Sequence, residues 1–155
     1  MTTVKGNLID LAEQGHFDLI VHGANCFNTM NSGIAKEIRD RYPVAYEEDC
    51  KSTKGDKQKL GGFTWCLGVT DDHTFVIVNG YTQYDYGYDG NQFCDYDAIR
   101  SVFRCIKNYF GEKKPTLRIG YPKIGCGLAG GDWDVVSKII DEELEGMDHT
   151  YVEFG

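Results

Sequence analysis

The run Phe17-Asp18-Leu19-Ile20-Val21-His22-Gly23-Ala24-Asn25-Cys26 places the heaviest demand on the fold. Its apolar side chains are consecutive rather than alternating, so both faces of the segment must be covered, and it breaks into small and polar residues as a fully buried strand does at its end. Such a strand belongs inside a largely parallel sheet with helices on each side. The remaining chain supplies those partners. Residues 4–7 read as a first short strand and residues 9–14 as a brief helix stopped by Gly15. Ile34, Ala35, Ile38 and Tyr42 recur at helical spacing over residues 34–42, with Pro43 ending that helix and a second following over residues 44–51. Residues 63–69 and 74–81 read as two strands joined by the polar turn at 70–73, a hairpin. Residues 96–110 carry Ile99, Val102, Phe103 and Ile106 on one helical face, with Gly111 as the stop. A strand over 117–122, a helix over 133–145 and a strand over 150–154 complete the order. Strands alternating with helices imply an α/β fold, a central mixed and largely parallel sheet of about six strands covered on both faces.

At 155 residues without repeat, low-complexity tract or linker, the chain reads as one domain over residues 1–155. Sixteen Lys and Arg against 24 Asp and Glu give a net charge of −8, which repels a nucleic-acid backbone, so any anionic ligand must be held by local donors. The six cysteines include no Cys-x-x-Cys pair, which argues against a zinc site and suits small buried hydrophobes in a reducing compartment. No cluster of Asp, Glu or His has metal-ligand spacing, and no metal or other cofactor is expected. No stretch approaches the ~20 apolar residues of a membrane span, and the first residues do not resemble a signal peptide, so a cytoplasmic location is expected. Glycine is the outlier, 19 residues of 155.

Ligands in open α/β sheets sit outside the carboxyl ends of the strands, which points to two loops. The second, Lys123-Ile124-Gly125-Cys126-Gly127-Leu128-Ala129-Gly130-Gly131-Asp132-Trp133, carries Gly-x-Gly-x-x-Gly between a strand and a helix. Its glycines let successive backbone N–H groups converge on an anion, and the following helix start adds positive partial charge. A dinucleotide fingerprint would need a longer βαβ unit, and only 25 residues follow Gly130. In the first loop, Asn25 can meet a sugar hydroxyl while amides near Ser32 and Gly33 grip phosphate. His22 lies three residues before Asn25; regular alternation puts the two on opposite faces, unless the strand bends at Gly23. A lone histidine in an apolar strand is ordinarily a core residue. Asp132 has the position of a helix N-cap, with an acidic catalytic role as the alternative. The tyrosines Tyr81, Tyr84, Tyr86 and Tyr88 offer flat surfaces for a base or ribose, or cover the sheet edge. The basic run Lys51, Lys54, Lys57, Lys59 reads as a solvated loop.

With these residues in view, the chain resembles a macrodomain, the ADP-ribose-binding three-layer α/β/α module. The similarity covers nearly the whole chain: Lys5-Gly6-Asn7, the segment from Asp18 to Cys26, Ser32-Gly33-Ile34-Ala35, Arg41-Tyr42-Pro43, and the segment from Pro122 to Trp133. Within the family, His22-x-x-Asn25-Cys26 followed by Gly33-Ile34-Ala35 and Arg41-Tyr42-Pro43 is similar to the branch containing ADP-ribose 1″-phosphate phosphatases, which carries a functional histidine matching His22. The resemblance implies that Asn25 faces the distal ribose, that Ser32, Gly33, Ile34 and Ala35 line one side of the phosphates, and that Gly125, Cys126, Gly127, Leu128, Ala129 and Gly130 line the other. Gly6, Asn7 and Leu8 would approach adenine.

Three activities compete on that basis. The first is a metal-independent phosphatase acting on ADP-ribose 1″-phosphate. In it His22 serves as general base or nucleophile, Asn25 orients the distal ribose and Asp132 supports as an acid. The second is a hydrolase that removes ADP-ribose from protein or nucleic acid, the one setting in which nucleic acid would be a partner. Family members with that activity often carry an aspartate where this chain has Ala35, or a lysine matching Arg39 with, in some, an aspartate matching Ala129. The third is a non-catalytic ADP-ribose reader or sponge. Many members also place an aspartate where Asn7 stands.

Overall fold

The computed structural model describes residues 1–86, 93–127 and 129–155, and five helices and six strands follow one another along them. Their order is β1 (Thr2–Gly6), α1 (Leu8–Glu13), β2 (Leu19–Ala24), α2 (Gly33–Arg41), α3 (Pro43–Lys51), β3 (Phe63–Val69), β4 (Thr74–Tyr81), α4 (Tyr96–Ile106), β5 (Arg118–Tyr121), α5 (Trp133–Glu143) and β6 (Asp148–Phe154). The strands form one sheet in the order β1-β6-β5-β2-β4-β3. Every neighbouring pair is parallel except β3 with β4, the hairpin read from the sequence. The sheet is therefore mixed and largely parallel, as expected.

The run at residues 19–21 explains the layering. Leu19 and Val21 point to one face, into a core completed by Ile99, Val102, Phe103 and Ile106 of α4 and by Val136 and Ile140 of α5. Ile20 points to the other, against Leu8, Ile9 and Ala12 of α1, Ile38 of α2 and Ala45 of α3. Both faces are thus dry, and β2 sits between β5 and β4 in the middle of the sheet.

Local chemistry places the ends. The first strand stops one residue earlier than expected because Asn7 caps α1, its side chain accepting from the Asp10 N–H at 3.0 Å. Helix α2 gives way to α3 at Tyr42, since the residue before a proline avoids helical geometry and Pro43 suits a first helical turn. The Tyr42 hydroxyl donates to Glu13 at 2.7 Å and ties that corner to α1. The helix expected over 96–110 is regular only to Ile106 and widens into a π turn over Lys107–Gly111. The cysteines divide: Cys26, Cys66 and Cys94 are buried, Cys105 and Cys126 half-buried, and Cys50 exposed, which corrects the expectation of six buried hydrophobes. Among the described residues no helix is long and apolar enough to cross a membrane.

Candidate functional site

Strands β2 and β5 lie side by side and parallel, so the loops that leave their carboxyl ends open away from one another. Between them is a cavity of about 270 Å³, floored by Gly23, Ala24 and Asp49. One wall is the start of α2. Ser32 occupies the cap position but makes no side-chain cap bond, so the first amides of this nine-residue helix have no acceptor within it or on the cap side chain. Gly33 holds the left-handed φ of +58° that turns the chain into the helix, and Ser32, Gly33, Ile34 and Ala35 all line the cavity. Unused N–H groups and the positive end of a helix dipole make this wall a receptor for an anion.

The opposite wall is the glycine loop. A Cβ at Gly131 would lie 2.5 Å from the Gly125 carbonyl oxygen, and one at Gly125, whose φ is +75°, would lie 3.1 Å from Cys94 Cβ. These two glycines let the loop fold onto itself, closed by the Gly131 N–H donating to the Gly125 carbonyl at 2.6 Å. At Gly127 a Cβ would meet nothing within 4 Å, because that position faces the open cavity. Gly125, Gly127 and Ala129 line the cleft, together with Lys123. Cys126 turns its thiol to the Ile124 carbonyl at 3.3 Å, and burial, helped by Cys94, pushes that thiol up to about 11, so it is not a thiolate at neutral pH. Gly130, with φ +73°, shapes the turn without lining the cavity, and Leu128 lies outside the described residues.

The three residues expected to do chemistry separate. Asn25 lines the cleft, yet its side chain also builds the loop: Nδ2 donates to Thr29 Oγ1 at 2.7 Å and Oδ1 accepts from the Phe27 N–H at 2.8 Å. His22 is 0% exposed and does not line the cavity. Strand β2 stays regular through Ala24, so Gly23 does not swing the ring round, and the imidazole lies on the α3 side of the sheet. Its Nε2 is 2.6 Å from Asn79 Oδ1. Because Asn79 Nδ2 is already donating to the Ala45 carbonyl and to Thr64 Oγ1, the contact requires Nε2 to carry the proton. Among the described residues Nδ1 has no partner at full hydrogen-bond geometry, and burial, only partly offset by the Asn79 hydrogen bond and a backbone contact to Gly23, holds the ring's pKa below its usual range. A neutral, enclosed imidazole cannot reach a phosphorus atom in the cleft. Asp132 is the N-cap of α5, accepting from the Asp134 N–H at 2.9 Å, and stands outside the cavity. It also uses up the helix start that the glycine loop was expected to exploit; α2 supplies the free one.

Gly6, Asn7 and Leu8 do not border this cavity. Leu8 is a core residue at 3% exposure, and Asn7 is occupied as the α1 cap and as a donor to Glu37 at 2.9 Å. Of the tyrosines, Tyr81 is buried, Tyr84 donates to the Gly55 carbonyl at 2.8 Å, and Tyr86, half exposed, lines the cleft; Tyr88 lies outside the described residues.

Sequence reasoning missed Asp49 and read Lys59 as part of a solvated loop. Asp49 follows Ala45 by one helical turn on the buried face of α3, and an acid on an apolar stripe is the signal that marks it. It is 1% exposed and sits at the cleft floor, with Oδ1 accepting from the Tyr81 hydroxyl at 2.7 Å. Burial raises its pKa against the opposing Tyr81 hydrogen bond and Lys59 charge. Lys59 is half-buried rather than solvated: its ammonium donates to the Cys26 carbonyl and Asn28 Oδ1 and lies 4.8 Å above the Tyr81 ring. Among the described residues no group of three or more His, Cys, Asp or Glu is placed to hold a metal ion.

Comparison with known proteins places this geometry in a family. The Macro domain model matches residues 21–140, which include the cleft-lining residues Ser32, Gly33, Ile34 and Ala35 on one wall and Gly125, Gly127 and Ala129 on the other. The chain is 34% identical over 155 residues to a 17.5 kDa protein of the tk-vs intergenic region of Enterobacteria phage T4, covering 97% of this chain and 94% of that one. The macrodomain of Thermus aquaticus DarG superposes with a TM-score of 0.73 at 20% identity, over 98% of this chain and 96% of that one. Thermosipho africanus DarTG, solved in complex with ADP-ribose, matches 100% of this chain and 42% of its own length with a TM-score of 0.70 at 16% identity. With the family model spanning most of the chain and a six-stranded sheet that presents two loops across one cleft, this protein belongs to the macro domain family.

Proposed function

We propose that the cleft binds ADP-ribose and that the chain is a phosphatase converting ADP-ribose 1″-phosphate to ADP-ribose and phosphate. The observation that carries the reading is the uncapped start of α2 facing the glycine loop across one cavity. Two sets of backbone donors opposite one another suit a diphosphate, and Lys123 adds one positive charge. In a phosphatase the same donors hold the oxygens of the terminal phosphate as water attacks phosphorus, the bond to the ribose oxygen breaks, and that oxygen takes up the proton that the attacking water gives up.

The positions that matter to an ADP-ribosyl hydrolase support this choice. Ala35 and Ala129 present apolar side chains to the cleft. Arg39 is committed elsewhere: it donates to the Thr29 carbonyl at 3.1 Å and to Asn31 Oδ1 at 2.8 Å, with its guanidinium 3.8 Å from the centre of the Tyr46 ring. One observation favours a second reading, the non-catalytic ADP-ribose reader: His22, the residue whose match suggests catalysis, is sealed in the sheet.

Phosphate release from ADP-ribose 1″-phosphate, measured beside calorimetry with ADP-ribose, tests the proposal. Binding with release supports the phosphatase. Binding without release leaves the reader, release of ADP-ribose from a modified peptide or oligonucleotide selects the hydrolase, and no binding at millimolar ADP-ribose overturns the reading altogether.

A further inference from the structure

We propose that Asp49 is the residue through which the cleft recognises the distal ribose, and that a buried hydrogen-bond chain ending on His22 holds it there. The inference deepens the ADP-ribose reading and rests on it. Among the described residues Asp49 Oδ2 is buried and has no hydrogen-bond partner, in a residue that lines the cavity. A carboxyl oxygen left in that state costs free energy until a donor reaches it, so the site is incomplete without a ligand that brings one. Phosphate meets the need poorly, since its oxygens only accept and an ionised Asp49 would repel them. A sugar hydroxyl meets it in either state of the carboxyl, because it both donates and accepts and carries no charge. The diphosphate is already served by the amides at the start of α2 and by the glycine loop. The ligand group left for the acidic floor is therefore a hydroxyl-bearing ring joined to that diphosphate, and the distal ribose is the part of ADP-ribose that ADP lacks.

The second half of the inference concerns how the carboxyl is aimed. Oδ1 accepts from Tyr81 at 2.7 Å, and the Tyr81 oxygen is 3.0 Å from Thr64 Oγ1. Thr64 Oγ1 accepts from Asn79 Nδ2 at 3.1 Å, and Asn79 Oδ1 accepts from His22 at 2.6 Å. The chain runs from His22 of β2 to Asn79 of β4 and Thr64 of β3, back to Tyr81 of β4 and on to Asp49 of α3, with every link at 3.1 Å or less and every member buried except the half-buried Thr64. The Lys59 ammonium lies 4.8 Å from the centre of the Tyr81 ring. In this arrangement His22 is a positioning residue. It sets the orientation of the Asn79 amide, which sets Thr64 and Tyr81, and through them the free oxygen of Asp49.

The test measures ADP-ribose and ADP affinities by calorimetry for wild type, Asp49→Ala and Tyr81→Phe. Asp49→Ala should fold, because the Tyr81 hydroxyl retains Ser52 and Thr64 as partners, and a thermal melt checks it. Its ADP-ribose affinity should fall by roughly 10- to 100-fold, the usual worth of a hydrogen bond to an ionisable group, while ADP affinity stays within about twofold. Tyr81→Phe should lower the ADP-ribose to ADP affinity ratio by a smaller factor, about 3- to 10-fold, since the carboxyl remains but loses its holder. If folded Asp49→Ala keeps the wild-type ratio, or loses both ligands equally, the Asp49 assignment is overturned while ADP-ribose binding stands. If wild type binds ADP but shows no gain for ADP-ribose, the functional reading fails first and takes this inference with it.

Discussion

Replacing His22 by alanine separates a reacting histidine from a positioning one by where the damage falls. The side chain is 0% exposed and packed beneath α3, so truncation opens a cavity in a close-packed region, at a cost of about 2–4 kcal/mol on the scale of other large-to-small core changes. It also strips Asn79 Oδ1 of its donor in a buried site, worth about 1–3 kcal/mol. Part of this is returned, because the unpartnered Nδ1 disappears with the ring. A net loss of about 3–5 kcal/mol follows, which for a domain of this size lowers Tm by roughly 10 °C. His22→Gln can offer an amide donor to Asn79 and should lose only about 1–2 kcal/mol. Thermal melts at pH 7 and initial rates of phosphate release on the surviving folded protein give both numbers. The expected pattern is a large fall in Tm for His22→Ala and, for His22→Gln, a rate within about tenfold of wild type. A His22→Gln variant with wild-type Tm and phosphate release lowered by 10² or more, the range of a lost general acid or base, would refute the reasoning and restore the histidine as a reacting group.

Gly127→Glu should abolish ADP-ribose binding with little change in Tm, because the new side chain points into the open cleft and brings a repelling charge, whereas Gly131→Ala should destabilise the fold through its 2.5 Å clash with the Gly125 carbonyl; calorimetry and melts on both variants check the contrast. Asp132→Ala should cost about 1 kcal/mol of stability, the worth of a lost helix cap, and leave phosphate release at the wild-type rate. Burial depresses the pKa of both His22 and His149 below 6.5. The stability they contribute is fully present above that unfolded value and is lost as pH falls through the folded pKa, so denaturant unfolding should show a decline below pH ~6.5 that is smaller in His22→Gln.

Much of this fold is written in local pattern. The hairpin at residues 63–69 and 74–81 has the expected bounds because alternation and a polar turn define it without help from the rest of the chain. Strand β2 is legible from its apolar run, and the cleft walls from the glycines that only a tight backbone needs. What stays hidden depends on which face a polar side chain takes and what meets it there. His22 reads equally as core or as chemistry until a regular β2 turns it toward α3. Asp49 carries no motif, and its importance comes from Tyr81, 32 positions away, and from an oxygen that none of the described residues satisfies. Lys59 looks solvated in a lysine-rich segment, yet the carbonyl of Cys26 and the Tyr81 ring draw it inward. Asp132 resolves to a cap because the Asp134 amide lies within 2.9 Å of its side chain.

The most direct test of the central claim is a ¹⁵N-edited NMR titration of the protein with ADP-ribose, read at the amides of Gly33, Ile34, Ala35, Gly125 and Gly127. These five line both walls of the cleft. Saturable shifts concentrated at these amides, larger than with ribose 5-phosphate, are the predicted result. No saturation at millimolar ADP-ribose, or shifts gathered at another surface while these amides stay still, would contradict the account.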